Sequence, residues 1–181
     1  MPTARASRTI ATPIEDLWSL VRDPHHLPRW WPRVTRVEGV DDTAFTEVMK
    51  TKKGKLVRAD FDVVSVDTVR HVLVWSQRVE GTPFAQVLSE AQTELRLEPA
   101  SARASARAGA ARRAFGADAA PALDTTATAT EVTIELRQTL VKRRMYQASA
   151  TMGSRVGGHL VRRAATATIR EALDGLERIG G

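Results

Sequence analysis

Only one segment of this chain can form a long amphipathic helix, and it is the last. From about Ala150 to Ile179, the residues Val161, Ala165, Ile169, Ala172, Leu173, Leu176 and Ile179 fall on one stripe at about 100° per residue. Arg163, Arg170, Asp174 and Glu177 lie opposite. Most of the chain before it has the period of a strand. "AQVLSEAQTELRLEP" is the clearest case: Ser89, Ala91, Thr93, Leu95 and Leu97 face one way, and Glu90, Gln92, Glu94, Arg96 and Glu98 the other. Strands of this kind build an antiparallel sheet with one wet face and one face that must be covered. The C-terminal stripe is the only long cover available, so a curved sheet gripping that helix is the expected result.

The remaining elements fit this plan. "ARASRTI" (Ala4 to Ile10) alternates and gives a first strand. "TPIEDLWSLV" follows with a helix-start signature: Thr12 as cap, Pro13 in the first turn, Glu15 and Asp16 at the positive end of the helix dipole. Leu17, Trp18 and Val21 share its buried side, and Asp23 with Pro24 ends it. A second short helix runs through "HHLPRWW" to Pro32. Adjacent tryptophans cannot share a direction, so Trp31 is expected to plug the sheet or roof a pocket and Trp30 to cover a corner. "RVTRVEGV", "AFTEVMKT", "LVRADFDVVSV" and "RHVLVWSQRVEG" are the next strands, and "ATEVTIELRQTL" is the last, with Val132, Ile134, Leu136 and Gln138 inward. In the helix that closes the chain, "MGSRVGGHL" has three glycines and a weak stripe, which suits a close approach or a loose start.

Bulk properties narrow the function classes. The 181 residues include no cysteine, which excludes disulfides, thiolate metal sites and cysteine catalysis. "MPTARASRTIATP" has no apolar core of a signal peptide, and no apolar run approaches a membrane span, so a single cytoplasmic domain is expected. The net charge of +6 owes much to "ASARASARAGAARRAFGADAA" (Ala100 to Ala120), read as a biased, flexible insertion over residues 100–127. With Phe115 as its one aromatic it lacks the stacking partners of a single-strand binder, so nucleic acid is disfavoured. A basic interaction module for RNA, an anionic membrane surface or a protein, using this segment and "VKRR" (Val141 to Arg144), stays as an alternative.

Recognisable catalytic or metal motifs are missing. His25 and His26 are adjacent, point about 100° apart on a helix and have no accompanying ligand pattern, so no metal and no cofactor is expected. His71 shares the phase of Leu73 and Trp75 and reads as a packed or rim histidine. His159, with Arg155 and Arg162, lies at the edge of the helix stripe, where a cavity mouth would place it to move protons or hold an anion.

The openings "ASRTIATPIEDLWSLVRDPHHLPRWWPRVTRVE", "VWSQRVEGTPFAQVLSEAQTELRLEP" and "RRAATATIREALDGLERI" together resemble the START/Bet v 1-like (SRPBCC) superfamily. The similarity is greatest to its polyketide cyclase/dehydrase and lipid-transport branch, and it covers nearly the whole chain outside the insertion. It implies an α+β helix-grip fold: about seven antiparallel strands around a long C-terminal helix, with two short helices after strand one. It also implies an internal cavity for a hydrophobic small molecule (a lipid, polyketide or isoprenoid-like compound), with homodimerisation left open. Independently, the inward phase holds polar or bulky residues where a plain core would want aliphatics: Gln77, Ser89, Thr93 and Gln138 beside Phe61, Leu73 and Trp75. Together with Trp31, Arg155 and His159 these are the candidate ligand-binding residues. A cyclase/dehydrase-like enzyme in the same cavity is the alternative, drawing on Gln77, Ser89, Gln138, Arg155 and His159, with no catalytic residue assigned. The single tyrosine, Tyr146, lies outside the strands, which weighs against a buried phenol acid.

Overall fold

The computed structural model describes residues 3–51, 53–100, 129–141 and 153–180. The expected insertion, apart from Ala100, lies outside these residues, as do Tyr146 and the basic cluster after Val141. The chain begins with β1 (Thr3–Ile10), α1 (Ile14–Val21), a single 3-10 turn (Pro24–His26) and α2 (Leu27–Trp30). Then come β2 (Val34–Glu38), β3 (Ala44–Lys50), β4 (Leu56–Asp67), β5 (Val72–Arg78), β6 (Leu88–Pro99), β7 (Thr130–Leu140) and α3 (Gly153–Gly180).

All seven strands join one antiparallel sheet in the order β1-β7-β6-β5-β4-β3-β2. Strands two to seven form a meander, and β1 pairs with β7 at the far edge. The α+β helix-grip arrangement expected from the sequence is therefore the observed one.

The helix stripe does what its spacing requires. Ala165, Ile169, Ala172, Leu173 and Leu176 are buried, and Val161 and Ile179 partly so. α3 lies against β1, β7 and α2, and its buried face meets Ile10, Ile134, Leu95, Leu97 and the α1 residues Leu17, Trp18 and Val21 in one core. Each leucine, isoleucine or valine among them contributes about 1.5–3 kcal/mol when removed from water. Arg8 of β1 pairs with both Asp174 and Glu177 at the outer edge of the helix.

Three local expectations are corrected. Thr12 does not cap α1: Pro13 stands at the cap position without a side-chain hydrogen bond. The Thr12 hydroxyl instead donates to the Gly180 carbonyl (2.7 Å), while the Thr130 hydroxyl donates to the Thr12 carbonyl (2.7 Å), tying the β1–α1 link to the end of α3 and the start of β7. His71 is a packed histidine, as read, but it packs from a turn and not from a strand. It ends the β4–β5 turn at φ +50°, which swings its ring back against Trp18 (5.3 Å between centroids) and Glu15 (Nε2 to Oε1, 3.1 Å). Finally, Trp30 and Trp31 are both buried. The backbone turns extended at Trp31 (ψ 128°), so the two indoles meet edge to face at 5.4 Å and still point to different neighbours.

Candidate functional site

Between the concave sheet face and α3 lies a cavity of about 380 Å³. Every layer of the fold supplies part of its wall. Trp31 enters from the end of α2, Glu47 and Met49 from β3, Phe61 from β4, Trp75 and Gln77 from β5. Leu88, Ala91 and Thr93 come from β6, Leu136 and Gln138 from β7, and Val161, Ala164, Ala165 and Thr168 from α3.

The register explains why these side chains converge. Phe61 pairs with Gln77, Gln77 with Ala91, and Ala91 with Gln138, which makes one straight row across four strands. The small Ala91 lies between the two carboxamides and keeps the floor low there. In the adjacent row, Trp75 pairs with Thr93 and Thr93 with Leu136. Trp31 stands edge-on to Trp75 (5.7 Å), and Phe61 stacks on Phe45 (5.2 Å, 10° between planes).

Glu47 is the chemically distinctive group. Its position in β3 shares the phase of Phe45 and Met49, so the sheet aims it inward, opposite the small Ala59 of β4. The residue is only 1% exposed, and Oε1 has no hydrogen-bond partner. Burial alone pushes its carboxyl up to about 8, because the charged form would be stripped of water with no cation beside it. At neutral pH it is a carboxylic acid with a proton to offer. Sequence reading missed it, although the alternation of Phe45, Glu47 and Met49 in "AFTEVMKT" carried the signal.

Of the residues singled out from the sequence, Trp31, Phe61, Trp75, Gln77, Thr93 and Gln138 line this one cavity. Leu73 does not. It lines a second cavity of about 450 Å³ between the sheet and the α1–α2 corner, with Val21, Leu27, Phe45 and Val63, and Trp75 borders both. Ser89 is exposed rather than inward: a bulge between Leu88 and Glu90 shifts the β6 register, Leu88 takes the buried place, and the Ser89 hydroxyl donates to the Thr139 carbonyl. His159 is exposed on α3. The Arg155 side chain lies outside the described residues. Among the described residues no group of three or more His, Asp or Glu is placed to hold a metal, and no helix is long and apolar enough to cross a membrane. His25 is exposed beside Asp23, as a surface histidine.

A family model described as polyketide cyclase/dehydrase and lipid transport matches residues 1–179. The chain belongs to this family. No curated protein sequence matches this member of it. Among solved structures, the chain is similar to the di-domain aromatase/cyclase BexL of the BE-7585A biosynthetic pathway, with a TM-score of 0.67 and 17% identity over 98% of this chain and 46% of that one. It is also similar to the Zhui aromatase/cyclase of Streptomyces sp. R1128 (TM-score 0.62, 13% identity, 98% and 92% covered). A START superfamily protein of Mycobacterium smegmatis gives a TM-score of 0.62 at 10% identity, with 98% and 96% covered. At such identities the likeness is one of fold, and this family member's chemistry has to be argued from its own cavity.

Proposed function

We propose that the protein binds a hydrophobic small molecule, of lipid, polyketide or isoprenoid-like character, in the cavity between sheet and α3. One observation carries this reading: a buried carboxyl oxygen without a partner, Glu47 Oε1, in a 380 Å³ space walled by aromatic and aliphatic side chains. A buried polar atom left unpaired costs about 1–3 kcal/mol. A plain structural core gains nothing from that cost, whereas a few convergent polar groups in an apolar pocket are the ordinary form of a small-molecule site.

The same carboxyl supports a second reading, a cyclase/dehydrase-like enzyme. An acid held protonated at neutral pH can assist enolisation or the departure of water. It would have to act with little help, since no other described residue lining the cavity is titratable.

Native mass spectrometry of the full chain, purified without detergent, tests the first reading. Wild-type protein is expected to carry an added small-molecule mass. Ala91→Phe, which fills the space between Gln77 and Gln138, is expected to lose that mass while keeping a cooperative thermal transition. Retention of the same mass by a folded Ala91→Phe variant would remove the cavity from the function.

A further inference from the structure

We propose that Glu47 is the hydrogen-bond donor that anchors a neutral, acceptor-bearing apolar ligand, and that the same residue excludes anionic amphiphiles from the cavity. The inference deepens the ligand-binding reading above and rests on it.

Three observations lead to it. First, Oε1 of Glu47 is buried, unpartnered and part of the cavity wall. Second, the described lining contains no lysine, arginine or histidine. A carboxylate or phosphate head placed beside Glu47 would therefore lose its water and find no cation in the described lining, which is among the most costly arrangements in a protein interior.

Third, nothing on the surrounding elements favours ionisation of Glu47. Its cross-strand neighbours are Val37 on β2 and Ala59 on β4. The charges nearest in sequence on those strands are in the opposite, outward phase and already engaged: Glu38 with Arg36 and Arg58, and Asp60 with the Thr46 hydroxyl. From α2, β5, β6, β7 and α3, the cavity receives only uncharged side chains. The carboxyl is consequently raised to about 8 and largely neutral near pH 7, with burial as the sole cause.

A neutral acid as buried as Glu47 has an O–H to satisfy, and a buried donor without an acceptor is worse tolerated than a carbonyl with spare capacity. A ligand carbonyl or comparable oxygen supplies what is missing. Gln77, Thr93 and Gln138 can orient the rest of a polar end, but none of them changes charge with pH.

The test uses the full chain and four dodecyl compounds differing only in the head: a methyl ketone, a primary alcohol, a carboxylate and an ammonium. Binding is followed by intrinsic tryptophan fluorescence, to which Trp31 and Trp75 contribute from the cavity wall. At pH 6.5 the ketone is expected to bind at least about tenfold more tightly than the carboxylate or the ammonium. Its affinity should then fall about tenfold per pH unit above the Glu47 transition. Glu47→Gln keeps an N–H donor without a titration, so it should retain ketone binding and flatten the profile between pH 6.5 and 9.5.

Four results overturn the proposal: a carboxylate bound as well as the ketone, an ammonium bound best, an alcohol that gains affinity above pH 8, or a flat wild-type profile for the ketone. The wild-type profile alone is decisive, so a poorly folded variant does not leave the question open. If none of the four compounds binds, the ligand-binding reading itself falls. If all four bind with no dependence on head or pH, only the role of Glu47 does.

Discussion

Gly175 of α3 rests directly on the backbone of Trp30 in α2: a Cβ added to the glycine would lie 2.3 Å from the Trp30 carbonyl oxygen and 2.8 Å from its Cα. This contact brings the α2 corner, with Trp31 behind it, down onto the gripping helix. In a free helix Gly→Ala would stabilise by roughly 0.8–1 kcal/mol. Here the obstacle is backbone, which cannot rotate away, so Gly175→Ala is expected to destabilise the fold by roughly 2 kcal/mol or more, at the upper end of overpacking costs. Urea denaturation of the two proteins measures it. An unchanged or raised midpoint would mean that the α2–α3 contact is not held as tightly as described.

The charge state of Glu47 predicts a pH dependence of stability. Its carboxyl is raised from an ordinary 4.5 to about 8 in the folded protein. Between those values the folded chain keeps a proton that the unfolded chain has released. Stability from this group is thus fully present below about pH 4.5, declines as pH rises, and levels off above about pH 8, a loss on the order of 5 kcal/mol in the limit. Glu47→Gln removes that slope. Thermal melts at pH 5.5, 7 and 8.5 should show the variant gaining on wild type at each step and exceeding it at the highest. Parallel pH profiles would show that water or relaxation relieves the buried carboxyl.

The architecture was legible because two periodicities dominate the chain. A period of two between β2 and β7 and a single 3.6-residue stripe at the end leave few ways to cover one sheet face. The cavity was partly legible for the same reason: Gln77, Thr93 and Gln138 stand in an apolar phase where a polar side chain is out of place. Ser89 was misplaced because a bulge changes phase without changing residue type. His71 was misplaced because its positive φ belongs to the turn, and histidine is not the residue that announces such a conformation. Glu47 escaped notice for a different reason. A glutamate in an alternating strand is read as solvent-facing by default, and the phase it shares with the buried Phe45 and the partly buried Met49 was the one sign against that reading.

Placement therefore separates residues that look alike in sequence. Gln77 and Gln138 flank Ala91 in the cavity floor, whereas Ser89 and His159 are exposed. Ser89→Ala and His159→Ala should leave ligand affinity within about twofold of wild type and shift stability by less than about 0.5 kcal/mol. Gln77→Leu and Gln138→Leu should alter affinity by about fivefold or more, in a direction set by the ligand's polar end. Titration calorimetry with the ketone probe distinguishes the pairs. A large effect at His159 would instead place the ligand against the outer flank of α3.

Trp75 gives the most demanding prediction, because it serves the fold and the site at once. Its ring is 3% exposed, abuts Trp31, and borders both the 380 Å³ cavity under α3 and the 450 Å³ cavity at the α1–α2 corner. Removing the indole should cost about 3–5 kcal/mol, as large-to-small core substitutions do. In a chain of this length that corresponds to a fall of roughly 6–20 °C in Tm. It should also open one cavity into the other. Trp75→Ala is therefore expected to favour longer chains: across a series of methyl ketones, the chain length of tightest binding should increase relative to wild type. Trp75→Phe retains most of the partition and should cost less in Tm while keeping the wild-type preference. The two readouts are independent, since lost stability weakens all lengths alike. If Trp75→Ala lowers Tm but leaves the preferred length unchanged, the two cavities remain separated by other side chains, with the stacked Phe45–Phe61 pair as the remaining wall.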